Sequence, residues 1–153
     1  MLKIFENVRS LWIIFIFDRL IKRILMHSHV CPTQFFPFLS CRVSINRGIS
    51  WSLFADYGVS TFYMLTFLIT LFLGFFAWYA YKREVEGHGI FAETLVLIGG
   101  TSNLFDRLMY GGVVDFIHFS YRGYSFPIFN FSDVCIVLGV ILMVYNAWLE
   151  EEL

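Results

Sequence analysis

The stretch from Asn103 to Asp133, NLFDRLMYGGVVDFIHFSYRGYSFPIFNFSD, sets three aspartates, Asp106, Asp115 and Asp133, between two strongly apolar runs. Carboxylates placed where a chain leaves and re-enters an apolar medium are costly, and such residues mark functional sites. Two aspartates held close in a partly desolvated pocket do not both ionise readily. One then keeps its proton well above the usual value of about 3.9, while the other remains a base. A pair in that condition activates water and protonates a leaving amine, which is the acid–base chemistry of peptide hydrolysis.

Spacing suggests how these groups meet. Asn103, Asp106 and Arg107 stand at i, i+3 and i+4, so a helix gathers them on one face at its end. Asn130 and Asp133 repeat the three-residue spacing where the next apolar run begins, and Asp115 follows the glycine pair Gly111 and Gly112. Purely structural readings compete for each group. Asp106 with Arg107 would serve as an ion pair marking a helix end, and Asn130 with Asp133 as the N-cap and first-turn acid of a helix. Asp115, flanked by Val113-Val114 and Phe116-Ile117, has no such local use. His118 reads as an interfacial residue, since a lone histidine is weak support for a metal.

The elements that must position these residues follow from composition. Of 153 residues, 58% are hydrophobic, 20% aromatic and only 15% charged, which suits a bilayer better than a soluble globule. The net charge of -1 carries no signal for nucleic acid. MLKIFENVRS before LWIIFIF resembles a signal peptide, yet no small-residue cleavage site follows and the run continues through Asp18, Lys22 and Arg23. It is read as a first membrane helix from Val8 to Leu25, with Asp18 and Lys22 sharing a face at i, i+4. Residues 26–58 form an extramembrane segment with short strands expected around CRVSIN and SWSLF. Val59 to Tyr81 carries no charge over about 23 residues, roughly 34 Å of helix, enough to cross a hydrocarbon core of about 30 Å.

KREVEGHG is read as a charged turn. A third span covers residues 90–106, with Glu93 in its first turn and Gly99 and Gly100 permitting close approach of a neighbour. VVDFIHF reads as a strand within a second extramembrane segment, 107–130, and a fourth span covers 131–149. The expectation is therefore one domain over residues 1–153, an all-α membrane protein of four spans with a small β-rich cradle. Positive charge is nearly balanced between the two sides and does not orient it. Cys135 reads as a buried small hydrophobe, while Cys31 and Cys41 could pair if their side is oxidising.

Five motifs in order around these spans resemble lipoprotein signal peptidase, the bacterial signal peptidase II family, over nearly the whole chain. They are Asp18-Arg19-Leu20-Ile21-Lys22, Asn46-Arg47-Gly48, NLFDR from Asn103 to Arg107, GGVVDF from Gly111 to Phe116 and FNFSD from Phe129 to Asp133. The resemblance implies that Asp115 and Asp133 are the catalytic pair. It also implies that Asp18, Lys22, Asn46, Gly48, Asn103, Asp106, Arg107 and Asn130 shape and support the site. The implied fold is a four-helix membrane bundle with a β-rich cradle on the periplasmic side and both termini cytoplasmic, in the bacterial inner membrane. The implied substrate is a diacylglyceryl-modified prolipoprotein cut on the amino side of its lipidated cysteine, with membrane lipid around a monomer and no cofactor or metal. Asn130 could orient the pair, and Arg107 could pair with Asp106 or meet substrate carbonyls.

The chain departs from the family pattern at Arg19, where a polar amide is usual, at Ile49-Ser50-Trp51, and at Ser132, where an alanine is usual. Two rival readings stand beside this one. A small proton or ion transporter would spread its carboxylates through the membrane depth, whereas here they gather at one face. A catalytically silent scaffold of the same fold would not need both aspartates.

Overall fold

The computed structural model describes residues 2–28, 34–48 and 58–151. Four helices, α1 (Leu2–Ser28), α2 (Gly58–Val85), α3 (Phe91–Tyr110) and α4 (Phe131–Glu151), are joined by three strands, β1 (Leu39–Asn46), β2 (Val113–Tyr121) and β3 (Tyr124–Ser125). α3 occupies the centre and touches α1, α2 and α4. Its residues Leu95 and Ile98 form a buried cluster with Cys135 of α4, against which Ile14 and Phe15 of α1 pack. Cys135 is buried and free, as read from the sequence.

The seam between α3 and α4 is made by small residues. Gly99 lies against the Ser132 carbonyl and Ile136, and Gly139 lies against the Ala92 carbonyl and Val96. Backbones approach this closely only where no Cβ intervenes. Gly100 meets Leu73 of α2 in the same manner, so the expected role of Gly99 and Gly100 holds.

The bundle is apolar on its outside. α2 exposes Tyr63, Phe67, Leu71, Phe75 and Trp78, and α4 exposes Val137, Ile141, Val144 and Trp148. In water such surface would be anomalous, whereas in lipid it is the rule. α2 and α4 are each long and apolar enough to cross a membrane by length and composition. Among the described residues these two helices meet that criterion, so it supports two of the four expected spans; α1 and α3 carry more charge.

Helix ends run past the apolar boundaries. α2 continues through Lys82 to Val85, so all of KREV is helical, and the turn expected over KREVEGHG begins only at Glu86. The charges do not stop the helix because each is accommodated: Lys82 lies over the Trp78 ring at 5.9 Å, and Arg83 pairs with Glu93 at 2.9 Å and Glu150 at 3.2 Å. α3 likewise runs beyond Asp106 to Tyr110. It stops at Gly111, whose φ of 69° is the left-handed conformation a glycine adopts without strain.

The sheet has the order β1-β2-β3, antiparallel throughout. β1 covers the expected CRVSIN strand and β2 the VVDFIHF strand. The SWSLF strand and the Cys31 half of the possible Cys31–Cys41 pair lie outside the described residues.

Candidate active site

Asp115 is the third residue of β2, opposite Ser44 of β1, and is buried. Asp133 lies in the first turn of α4. Asn130 joins them. Its side-chain Nδ2 donates to Asp115 Oδ1 at 2.7 Å. Its Oδ1 accepts from the Asp133 backbone N–H at 3.0 Å, while its own backbone N–H donates to Asp133 Oδ2 at 3.1 Å. The last two bonds form a reciprocal cap, Asn130 serving as N-cap and Asp133 closing it three residues on. The structural reading of Asn130 and Asp133 is therefore correct, and the same residue also holds Asp115.

Each aspartate receives a second amide. Asn46, at the end of β1, donates Nδ2 to Asp115 Oδ2 at 3.2 Å. Asn103 donates Nδ2 to Asp133 Oδ1 at 2.7 Å. The loop after Asn46 is held in turn: Gly48 N–H donates to Asn46 Oδ1 at 3.0 Å, and Arg107 donates to the carbonyls of Arg47, at 3.3 Å, and Gly48. Arg107 thus ties the loop to α3. It does not pair with Asp106, because neighbours on a helix point about 100° apart and cannot face each other.

Asp106 belongs to a buried ionic cluster behind the pair. Lys22 Nζ lies 2.9 Å from Asp18 and 2.8 Å from Asp106, and it donates to Asn103 Oδ1 at 3.2 Å. Arg19 lies 2.6 Å from Asp106 and 3.1 Å from Asp18. Ser102 and Ser132 each donate to Asp18 Oδ2, at 2.6 and 2.9 Å. Two carboxylates and two cations balance, which is what a buried charge requires.

All ten residues singled out from the sequence meet here. Asn46, Gly48, Asn103, Arg107, Asp115 and Asp133 line one cavity of about 540 Å³, whose apolar wall includes Phe72, Leu73 and Val137. Asp18, Lys22, Asp106 and Asn130 are not part of that lining, but Lys22 and Asn130 hydrogen-bond to residues that are. Sequence reasoning missed Ser102 as a participant, and met Arg19 and Ser132 only as departures from a pattern. The i, i+4 spacing of Ser102 and Asp106 on one helix is the signal that could have found it. Among the described residues, no three His, Cys, Asp or Glu side chains gather where they could hold a metal ion. His118 instead hydrogen-bonds Ser40 at 3.0 Å and Ser125 at 2.7 Å within the sheet.

Burial, and after it the negative charge of Asp133, pushes the Asp115 carboxyl from 3.8 up to about 7. Asp115 therefore still shares in a proton close to neutrality, next to a second carboxyl and beside a cavity with one apolar wall. That combination suits hydrolysis of a bond presented from the apolar side.

Comparison with known proteins bears on the same residues. Residues 10–149 match the family model described as signal peptidase (SPase) II. The lipoprotein signal peptidase of Beijerinckia indica is 31% identical over 152 residues, covering 97% of this chain and 84% of that protein. That of Thermodesulfovibrio yellowstonii is 29% identical over 148 residues, covering 95% and 96%. A bacterial membrane enzyme solved by the in meso method at 2.3 Å superposes with a TM-score of 0.72 at 26% identity, covering 97% of this chain and 90% of the other.

Proposed function

The chain belongs to the signal peptidase II family, and we propose that it removes signal peptides from prolipoproteins as an aspartic endopeptidase with Asp115 and Asp133 as its catalytic pair. The observation that carries the assignment is Asn130, whose side-chain amide donates to the Asp115 carboxyl and whose backbone N–H donates to the Asp133 carboxyl. Asp133 takes a proton from water, the resulting hydroxide attacks the scissile carbonyl, and protonated Asp115 stabilises the oxyanion. Collapse of the tetrahedral species passes a proton to the leaving amine, so the pair returns to its starting state.

The substrate of this reading is a prolipoprotein whose cysteine carries a diacylglyceryl group, cut on the amino side of that cysteine. The apolar wall of the cavity, built by α2 and α4, suits acyl chains and the signal segment. In this reading all four helices cross the inner membrane, the termini are cytoplasmic, and the sheet lies at the periplasmic face. The distribution of α1 supports a membrane setting, since Ile13, Ile16, Phe17, Leu20 and Ile24 face outward while Asp18 and Lys22 are buried.

The test is cleavage of a diacylglyceryl-modified prolipoprotein by detergent-purified protein, beside Asp115→Asn and Asp133→Asn. Cleavage before the lipidated cysteine by wild type, with a loss of several orders of magnitude in both variants, is the expected result. Variants that cut as well as wild type would remove the assignment.

A further inference from the structure

We infer that Arg19 is a positioning residue for Asp115, acting through Asp106 and not through substrate; the inference rests on the catalytic pair proposed above. Arg19 stands where the family pattern carries a polar amide, and its guanidinium is absent from the cavity lining. It lies over two rings, 5.1 Å from the Phe105 centroid and 6.0 Å from that of Phe15. From there one nitrogen reaches Asp106 Oδ1 at 2.6 Å and another reaches Asp18 Oδ2 at 3.1 Å.

Asp106 is the link to the catalytic residue. Its Oδ2 accepts the backbone N–H of Val114 at 3.2 Å, and Val114 is fully buried beside Asp115 in β2. A shift of Asp106 therefore moves the strand one residue, about 3.8 Å along the backbone, from the catalytic carboxyl. Lys22 also binds Oδ2, but its three hydrogens are divided among Asp18, Asp106 and Asn103, and Asn103 is the group that donates to Asp133. The two cations of the cluster thus meet at Asp106 and Asp18 and support two arms. Arg19 braces Asp106 and through it Asp115, and Lys22 orients the Asn103 amide toward Asp133.

With an amide in place of Arg19, the cluster holds two carboxylates and one lysine. Lys22 is then drawn between Asp18 and Asp106, and both arms lose definition. Misplacement of a reacting group by a fraction of an ångström to an ångström lowers turnover without changing the binding of the rest of the substrate.

The experiment uses the full-length protein in detergent with a diacylglyceryl-modified prolipoprotein, and it compares Arg19→Gln, Arg19→Lys, Asp106→Asn and the Arg19→Gln/Asp106→Asn double variant. Arg19→Gln lowers kcat on the order of tenfold with KM within about twofold, and Arg19→Lys recovers part of the loss. In the Asp106→Asn background, Arg19→Gln lowers kcat no further, since its route is already cut. An additive loss in the double variant overturns the inference. So does a raised KM at unchanged kcat, which would make Arg19 a substrate contact. Should Asp106→Asn not accumulate, the kcat–KM split of the Arg19 variants decides the matter alone. Asp115→Asn serves as the control for the underlying reading: if it is inactive while Arg19→Gln keeps wild-type kcat, the brace fails and the catalytic pair stands, and if it is active, both fail.

Discussion

A carboxamide presents a donor and an acceptor on one carbon, and at Asn130 the two point at different aspartates. The oxygen caps α4 through the Asp133 N–H and the nitrogen holds Asp115. Two variants separate these roles. Asn130→Ala loses both, so turnover falls on the order of a hundredfold and the helix loses about 1 kcal/mol, measured by kinetics and thermal unfolding in detergent. Asn130→Ser keeps a capping oxygen but cannot donate across to Asp115, so unfolding stays near wild type while activity falls with that of the alanine variant. The pH dependence also belongs to this scale. With the Asp115 carboxyl at about 7, kcat/KM declines on the alkaline side as the pair loses its shared proton, and the apparent midpoint belongs to the pair. For stability the sign is fixed by proton uptake: the folded chain holds a proton on Asp115 that the unfolded chain releases near 3.8. This contribution is full below that value and is lost as pH rises through about 7. Asp115→Asn flattens that window, which unfolding measured from pH 4 to 8 would reveal.

The helices reach the site because α3 and α4 touch along glycines. A Cβ at position 139 would lie 2.7 Å from both the Ala92 carbonyl and a Val96 methyl, so Gly139→Ala pushes the helices apart at a cost of about 1–3 kcal/mol. Gly74 in α2 meets nothing within 4 Å, and Gly74→Ala is neutral or stabilising by up to about 1 kcal/mol. Half-lives at raised temperature in detergent order the two variants around wild type. The glycines at 99 and 100 and the apolar runs were legible at this scale, because a membrane segment declares itself by length and lack of charge. Helix ends were not legible. Arg83 read as part of a turn by its charge, yet remains helical because Glu93 and Glu150 on other elements neutralise it.

At the scale of the molecule, the polar groups form two separate sets. One is the cluster behind the cavity; the other ties Arg83, Glu93 and Glu150 across α2, α3 and α4. Outward apolar surface lies on the helices themselves. The protein is expected to stay with inner membranes through a high-salt wash and to leave them only with detergent, followed by immunoblotting of the fractions. Reporter fusions at either end test the proposed topology: a cytoplasm-active reporter signals at both termini, and a periplasm-active reporter at neither.

The sequence alone determined the apolar segments and the order of the motifs, because hydropathy and helical spacing are properties of neighbours along the chain; the ten candidate site residues came from the family resemblance those motifs carry. It also left Asn130 with two readings, and its hydrogen bonds are compatible with both. Only the tertiary structure decided that Asp106 pairs with Arg19 and Lys22 and not with Arg107, that Ser102 and Ser132 converge on Asp18, and that Asn103 faces Asp133. Those partners lie on different helices. Burial makes each unpaired charge expensive, so pairing is set by which faces pack together, and spacing along one strand of sequence does not contain that information.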